Sequence, residues 1–409
     1  MTDIFSPFTV GPITLRNRTI RSAAFEAMCP GHRPSKEFFD YHTAVARGGI
    51  GMTTFAYAAV CQSGLSFENQ LWMREEIVPE LKKCTDAVHA EGALCSIQLG
   101  HCGNMSHKAI CGCLPYGASR GFNLYSPTFV HKMNLAEIQQ VAKAYGDAVR
   151  LAIKAGFDAI EVHAGHGYLI SQFLSPYTNH RHDEFGGTLE NRMRFMKMCM
   201  KEVVEAGKGK VAIFVKMNTS DGFKGGQTTE ELIQVARTLK ECGADAIVLS
   251  GGFVSRAPQY VMRGEFPTIP LAHYLPLKQW WLKIGLLFAG NIVSPTVPFK
   301  PLFFMEDSLK FQKALGKDFP LVYVGGVVSR EGAQTVLDNG FPLFQMGRAV
   351  LEDTDFVNKM KETDGEYCNG CKHSNYCIGR MYTLEMRCHH CVDNLPEKLQ
   401  KEIDAAEKE

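Results

Sequence analysis

Eight short apolar runs recur along this chain, most of them followed by an amphipathic stretch of helical period, and few architectures tolerate that alternation. The runs are Thr19–Ala24, Gly51–Ala58, Leu94–Leu99, Ala159–His163, Ala212–Met217, Ala246–Ser250, Leu321–Gly325 and Leu343–Met346. Most are nearly continuous in apolar residues, the pattern of parallel strands covered on both faces. Helical periodicity marks Lys36–Arg47, Glu76–Glu91, Leu135–Ala155, Thr188–Ala206, Thr229–Cys242, Ser329–Asn339 and Thr354–Lys361, several ending on Gly or Asn. Eight strands with intervening helices predict an α/β fold, a closed (β/α)8 TIM barrel. An open doubly wound sheet would place a glycine-rich turn after its first strand, and Arg21 to Glu26 contains no glycine.

Three segments stand outside the repeat. Residues 1–18 predict an N-terminal hairpin that closes the barrel floor, turning at Gly11-Pro12. Residues 253–318 form a long insertion between strands six and seven, with a helix expected at Leu277–Ala289. That helix sets Trp280 and Trp281 beside lysines. It suits a membrane surface or a lid over a bulky apolar substrate, and equally packing on the barrel or a partner subunit. Residues 1–363 are thus expected to form the barrel, and 364–409 a Cys-rich tail with a charged helix at Glu397–Glu409.

The formal net charge is +1 with acids and bases interleaved, which gives no reason to expect nucleic acid as a partner. The N-terminus lacks the basic and apolar regions of a secretory signal. The most apolar stretch, Trp280–Val293, is interrupted by Lys283 and Asn291 and is too short to span a bilayer. Cysteines outside the tail, such as Cys95, Cys199 and Cys242, are scattered singly, as buried thiols in a reducing cytoplasm would be.

A barrel of this kind carries its chemistry where the strands end. Polar residues there are Gln98 and His101, His163, His166 and Tyr168, then Lys216, Gly325-Gly326 and Gly347-Arg348. The glycines after strands seven and eight, with the Arg348 guanidinium, predict a cradle for a terminal phosphate. His163 and His166 are three residues apart and could donate to one acceptor; they would serve equally as metal ligands or satisfied core histidines. Tyr168 could supply a phenolic proton or simply pack.

The stretch from His163 to Gly187 resembles the old yellow enzyme family, in the branch of bacterial ene-reductases and 2,4-dienoyl-CoA reductases. It carries His163, His166-Gly167-Tyr168-Leu169 and then Ser175-Pro176, Asn179, Arg181, Asp183 and Gly186-Gly187. Leu15-Arg16-Asn17-Arg18 and the Gln98, His101 and Gly103 pattern agree, and the resemblance covers residues 4–252 and 319–362. It implies an FMN-dependent oxidoreductase that uses NADH or NADPH to reduce the activated C=C bond of an enone-type small molecule. Gln98 and Lys216 would hold the flavin ring, and Gly325, Gly326, Gly347 and Arg348 its phosphate. His163 and His166 would grip the substrate carbonyl, hydride would pass from flavin N5 to the β-carbon, and Tyr168 would protonate the α-carbon. Arg181 and Asp183 would brace a loop. A flavin-dependent demethylase or dehydrogenase, or a flavin- or metal-binding protein of little turnover, is the competing reading; a homo-oligomer fits as well as a monomer.

Two departures stand out. Where the family carries Pro-Met followed by Thr or Cys, this chain reads Ala23-Ala24-Phe25-Glu26, so Phe25 is expected to reshape the substrate pocket. Cys368, Cys371, Cys377 and Cys388 are spaced x2, x5 and x10, with Cys391 following, whereas dienoyl-CoA reductases space their iron–sulfur ligands x2, x3 and x11. Such thiolates could hold zinc or an iron–sulfur cluster, and the metal is left unassigned.

Overall fold

The computed structural model describes residues 2–406, apart from 124–125, 276–279, 281–282, 286, 288–295 and 364–366. Strands β1 (Phe8–Val10) and β2 (Ile13–Leu15) form an antiparallel hairpin. The barrel strands are β3 (Thr19–Arg21), β4 (Met52–Ala59) and β5 (Leu94–Gly100), followed after an excursion by β9 (Ala159–His163) and β10 (Ala212–Asn218). Then come β11 (Ala246–Ser250), β12 (Leu321–Val324) and β13 (Leu343–Met346). They close in the order β10-β11-β12-β13-β3-β4-β5-β9, and every neighbouring pair is parallel. This is the (β/α)8 barrel that the sequence predicts.

Local chemistry sets the helices that wrap it. Asn134 and Glu137 form a capping box at Leu135–Lys154, and Thr228 with Glu231 does the same for Thr229–Glu241. Each such cap contributes about 1 kcal/mol and fixes where the helix starts. The lower half of the barrel interior is filled by Ile20, Met52, Phe214, Val248, Val322 and Leu343, sealed from beneath by Val10 and Leu15 of the hairpin. With its floor packed, only the strand ends at the other rim remain for binding.

The long insertion is shorter than expected. Met305–Leu315 is a regular barrel helix that buries Phe311 and Leu315 and packs on Thr229–Glu241 and β12. The expected helix at Leu277–Ala289 falls on a stretch where 277–279, 281–282, 286 and 288–289 lie outside the described residues. Between β5 and β9 the structure adds a small sheet absent from the sequence reading, β6 (Tyr116–Gly117), β7 (Gly121–Asn123) and β8 (Thr128–Lys132). Its strands are too short to leave a period.

The tail docks on the rim at the C-terminal ends of the barrel strands. Asn369 N–H donates to Val328 O at 2.8 Å, and Met386 N–H donates to Glu26 O at 2.7 Å. Asn375, 2% exposed, donates to the carbonyls of Arg263 and Glu265 at 2.7 and 2.9 Å and accepts from Arg348 at 2.8 Å. All fourteen cysteines are free of disulfides, and no helix among the described residues is long and apolar enough to cross a membrane.

Candidate functional site

Parallel register sets Gln98 of β5 opposite Glu161 of β9, and Lys216 of β10 opposite His163. Glu161 lies at the centre of the polar layer that results. One of its carboxylate oxygens takes the Gln98 amide at 2.7 Å and the Lys216 ammonium at 3.0 Å, and the other takes the Gln345 amide at 2.6 Å. Lys216 also donates to Ser22 Oγ at 3.1 Å. Burial lowers the pKa of Lys216, and the facing Glu161 carboxylate opposes that loss of charge. Gln345 Oε1 is buried with no partner, an acceptor that an N–H of a bound heterocycle would satisfy.

Above this layer His163 and His166 lie with ring centroids 5.1 Å apart, and Tyr168 stands 4.6 Å from His163. His166 occupies the left-handed region at φ 58°, held by its N–H to Asn218 Oδ1 at 2.9 Å. Asn218 is fixed in turn by the buried Asp221, which also takes Ser175 and the Gln227 N–H. His166 Nε2 pairs with Ser250 Oγ at 2.7 Å. Burial, reinforced by the Lys216 charge, drives the His166 pKa down to about 3. Burial also drives His163 well below its ordinary value, with His166 and Lys216 adding to the effect. Both rings are therefore neutral at pH 7, each with one N–H to give. Phe25 stacks on Phe67 at 4.3 Å, and Tyr382 of the tail meets Phe67 edge-on at 5.7 Å, so an aromatic wall stands beside Tyr168.

A cavity runs from Lys216, His166 and Ser250 past Ser22 and Gln345 to Gly325, Gly326, Gly347 and Arg348. Gly325 and Gly326 have φ of 131° and 75°. A side chain at Gly326 would meet the Leu302 backbone at 2.9 Å, so the insertion lies against the outer side of this turn while its inner side lines the cavity. At Gly347, which precedes the short helix Arg348–Glu352, the nearest atom to an added Cβ is Ser22 Cβ at 3.9 Å, leaving open space. The donor set fits FMN: a buried cation, two amides, an unsatisfied acceptor, and an open glycine end beside a guanidinium.

The structure thus brings Gln98, Lys216, His163, His166, Tyr168, Gly325, Gly326, Gly347 and Arg348 to one rim. Arg181 grips Asp183 through two 2.8 Å hydrogen bonds and holds the carbonyls of Ala118 and Met133, a brace for the loop. Of the tail thiols, Cys377 and Cys388 are buried, Cys371 is half-buried, and Cys368 and Cys391 are exposed. Among the described residues, His89, Cys95 and Asp158 near the floor bring three ligand atoms within 4.8 Å of one another, and the tail thiols form no such group. Sequence reasoning missed Glu161, Gln345, Ser22, Tyr57 and Asn375. Glu161 left a usable signal: it stands two residues before His163 in one strand and so shares its inward face.

The family model described as the NADH:flavin oxidoreductase / NADH oxidase family matches residues 3–298. The 4,4'-dithiodibutanoate disulfide reductase of Rhodococcus erythropolis is 37% identical, covering 93% of this chain and 93% of its own length. Among solved structures, 2-naphthoyl-CoA reductase in complex with 2-naphthoyl-CoA superposes with a TM-score of 0.80 at 22% identity. The match covers 98% of this chain but 58% of that one. The old yellow enzyme homologue from Zymomonas mobilis gives a TM-score of 0.70 at 24% identity, covering 91% and 96% of the two chains.

Proposed function

This chain belongs to the NADH:flavin oxidoreductase / NADH oxidase family, FMN enzymes driven by reduced nicotinamide, and from that membership we infer that it reduces the activated C=C bond of an α,β-unsaturated carbonyl compound. The observation that supports this reading best is a pair of neutral imidazoles, His163 buried and His166 half-buried, beside a tyrosine and above a buried cation. When bound and reduced, FMN supplies the hydride. His163 and His166 each donate an N–H to the carbonyl oxygen and stabilise the negative charge that grows there. Being neutral, they do so without the cost of burying a further cation beside Lys216. Tyr168 gives its proton to the α-carbon, whose carbanion is far more basic than a phenolate. Gln98 and Lys216 hold the cofactor ring, and Gly325, Gly326, Gly347 and Arg348 its phosphate. The aromatic wall of Phe25, Phe67 and Tyr382 excludes water and favours apolar, planar substrates.

The Rhodococcus relative supports a second reading, reduction of a linear disulfide. The two differ in their need for an acid. A departing thiolate is a far weaker base than a carbanion and leaves without being protonated first. The test is an anaerobic NADH titration of the yellow holoenzyme, followed by 2-cyclohexenone or 4,4'-dithiodibutanoate, with wild type and Tyr168→Phe. Alkene reduction predicts reoxidation by the enone and its loss, by about a hundredfold or more, in the variant. Reoxidation by the disulfide alone, unchanged in the variant, would establish the second reading instead. A protein that takes up no FMN would sink both.

A further inference from the structure

Tyr57 lies on β4, buried, with its ring centroid 5.1 Å from that of Tyr168 and 6.2 Å from that of His163. The approach is built in: a Cβ at Gly100 would stand 3.3 Å from the Tyr57 ring. Its hydroxyl bonds to Ser66 Oγ. Ser66 Oγ in turn donates to Gln70 Oε1 at 3.2 Å, an oxygen that also takes the N–H groups of Ser66 at 2.7 Å and Phe67 at 3.3 Å. Gln70 Nε2 faces the Tyr57 carbonyl at 3.4 Å, which sets the amide with its oxygen toward Ser66.

This fixes a direction. An amide oxygen only accepts, so Ser66 spends its proton on Gln70 and must accept from Tyr57. Tyr57 oxygen is then left as an acceptor on the side of Tyr168, whose ring stands 5.1 Å from its own; burial raises the Tyr57 pKa, and the nearness of Tyr168 adds to the rise. In the resting enzyme the row runs from Tyr168 to Tyr57 to Ser66 to Gln70, every donor pointing away from the substrate.

We propose that Tyr57 is a positioning residue for Tyr168: it orients the phenol while the site is at rest, stabilises the phenolate left by proton transfer, and passes a new proton inward from Ser66. The proposal rests on Tyr168 being the proton donor. As the O–H bond of Tyr168 breaks and the C–H bond forms on the α-carbon, Tyr57 turns its O–H from Ser66 to the new phenolate. A charge-assisted hydrogen bond replaces a neutral one and is roughly twice as strong. The proton then moves from Tyr57 to Tyr168, from Ser66 to Tyr57, and from water to Ser66, so one solvent proton is consumed per turnover. Ser66 is itself buried, in a loop whose Gln62 and Glu68 are exposed to solvent. The other titratable neighbours of Tyr57 are His163, which is neutral, and Cys102, a buried thiol held in its neutral form.

The experiment is stopped-flow on FMN-loaded Tyr57→Phe, with the two half-reactions separated. Flavin reduction by NADH should be unchanged. Reoxidation by 2-cyclohexenone should slow by about tenfold or more. Its alkaline limb, set by the ionisation of Tyr168, should move to higher pH, because the phenolate has lost its donor. A packing defect would slow the rate without moving that limb. Ser66→Ala, which leaves both aromatic rings in place, should raise the solvent isotope effect on reoxidation, and it serves as the second probe should Tyr57→Phe not fold. In a Tyr168→Phe background Tyr57→Phe should cost nothing further. An unmoved alkaline limb in Tyr57→Phe, or an unchanged isotope effect in Ser66→Ala, overturns the relay. Full enone activity in Tyr168→Phe alone overturns the donor assignment on which the relay depends, and is seen without reference to Tyr57.

Discussion

Glu161 holds three groups at once, and its removal exposes what each of them costs. Glu161→Gln keeps the shape but leaves Lys216 charged, buried and without its counter-ion. Breaking such a pair from one side destabilises by about 3 kcal/mol or more, whereas removing both charges is close to neutral. Urea unfolding of the apoprotein should show that loss in Glu161→Gln and its near recovery in Glu161→Gln with Lys216→Met; a double variant as unstable as the single one contradicts this account. The same residue marks where sequence reading stops. His163, His166, Tyr168, Gln98 and Lys216 were legible because a polar side chain at the end of an apolar run in a barrel has few structural uses. Gln345 and Ser22 also stand near the ends of their runs, but only the closing of the barrel shows that they turn toward Glu161 and Lys216. Tyr57 was hidden more deeply, for an aromatic inside a strand reads as core.

At the scale of elements, the tail and the insertion meet over the Arg348 end of the rim cavity, the proposed phosphate end, and Asn375 joins them. It sits at φ 56°, a conformation that Asn tolerates and Gly adopts freely. Asn375→Gly therefore keeps the backbone and deletes only the hydrogen bonds to Arg348, Arg263 and Glu265. The variant should lose about 1–3 kcal/mol of stability and release FMN more readily, measured by flavin fluorescence on dilution. Unaltered retention would show that the tail is not part of the cradle. Helix and strand limits were readable to within a residue or two where caps such as Asn134 and Thr228 stand before a long amphipathic stretch. They were not where Met305–Leu315 follows the aromatic insertion without a capping side chain, so the helix merged with the insertion. The docking of the tail left no local trace either, because many of its hydrogen bonds are to backbone groups, which every sequence offers.

For the whole molecule, burial of neutral imidazoles ties stability to pH. His42 is lowered to about 4, and His101 and His166 to about 3, in each case chiefly by desolvation. Unfolding restores values near 6.5, so the unfolded chain binds more protons below that pH and stability falls as pH drops. Each histidine contributes its full share above about pH 6.5 and loses about 1.4 kcal/mol per pH unit until its folded value is reached. Glu402, pushed up to about 7 by burial, works in the opposite sense over part of the window and offsets about one of them. Thermal unfolding of the apoprotein should therefore move to lower temperature from pH 7 to pH 5; a flat profile would mean that these rings are not buried in the neutral form. The barrel also has a seam. β13 pairs with β3 through Phe344 and Thr19, 325 positions apart, and across that join Ser22 faces Gly347 in the cofactor cavity. A ribosome has made most of the chain before the two edges can meet, so the ring is sealed late in synthesis. A flavin bound across the join favours the sealed form over the open one in proportion to the logarithm of its concentration. Flavin concentration, on this account, sets how firmly the ring is held shut.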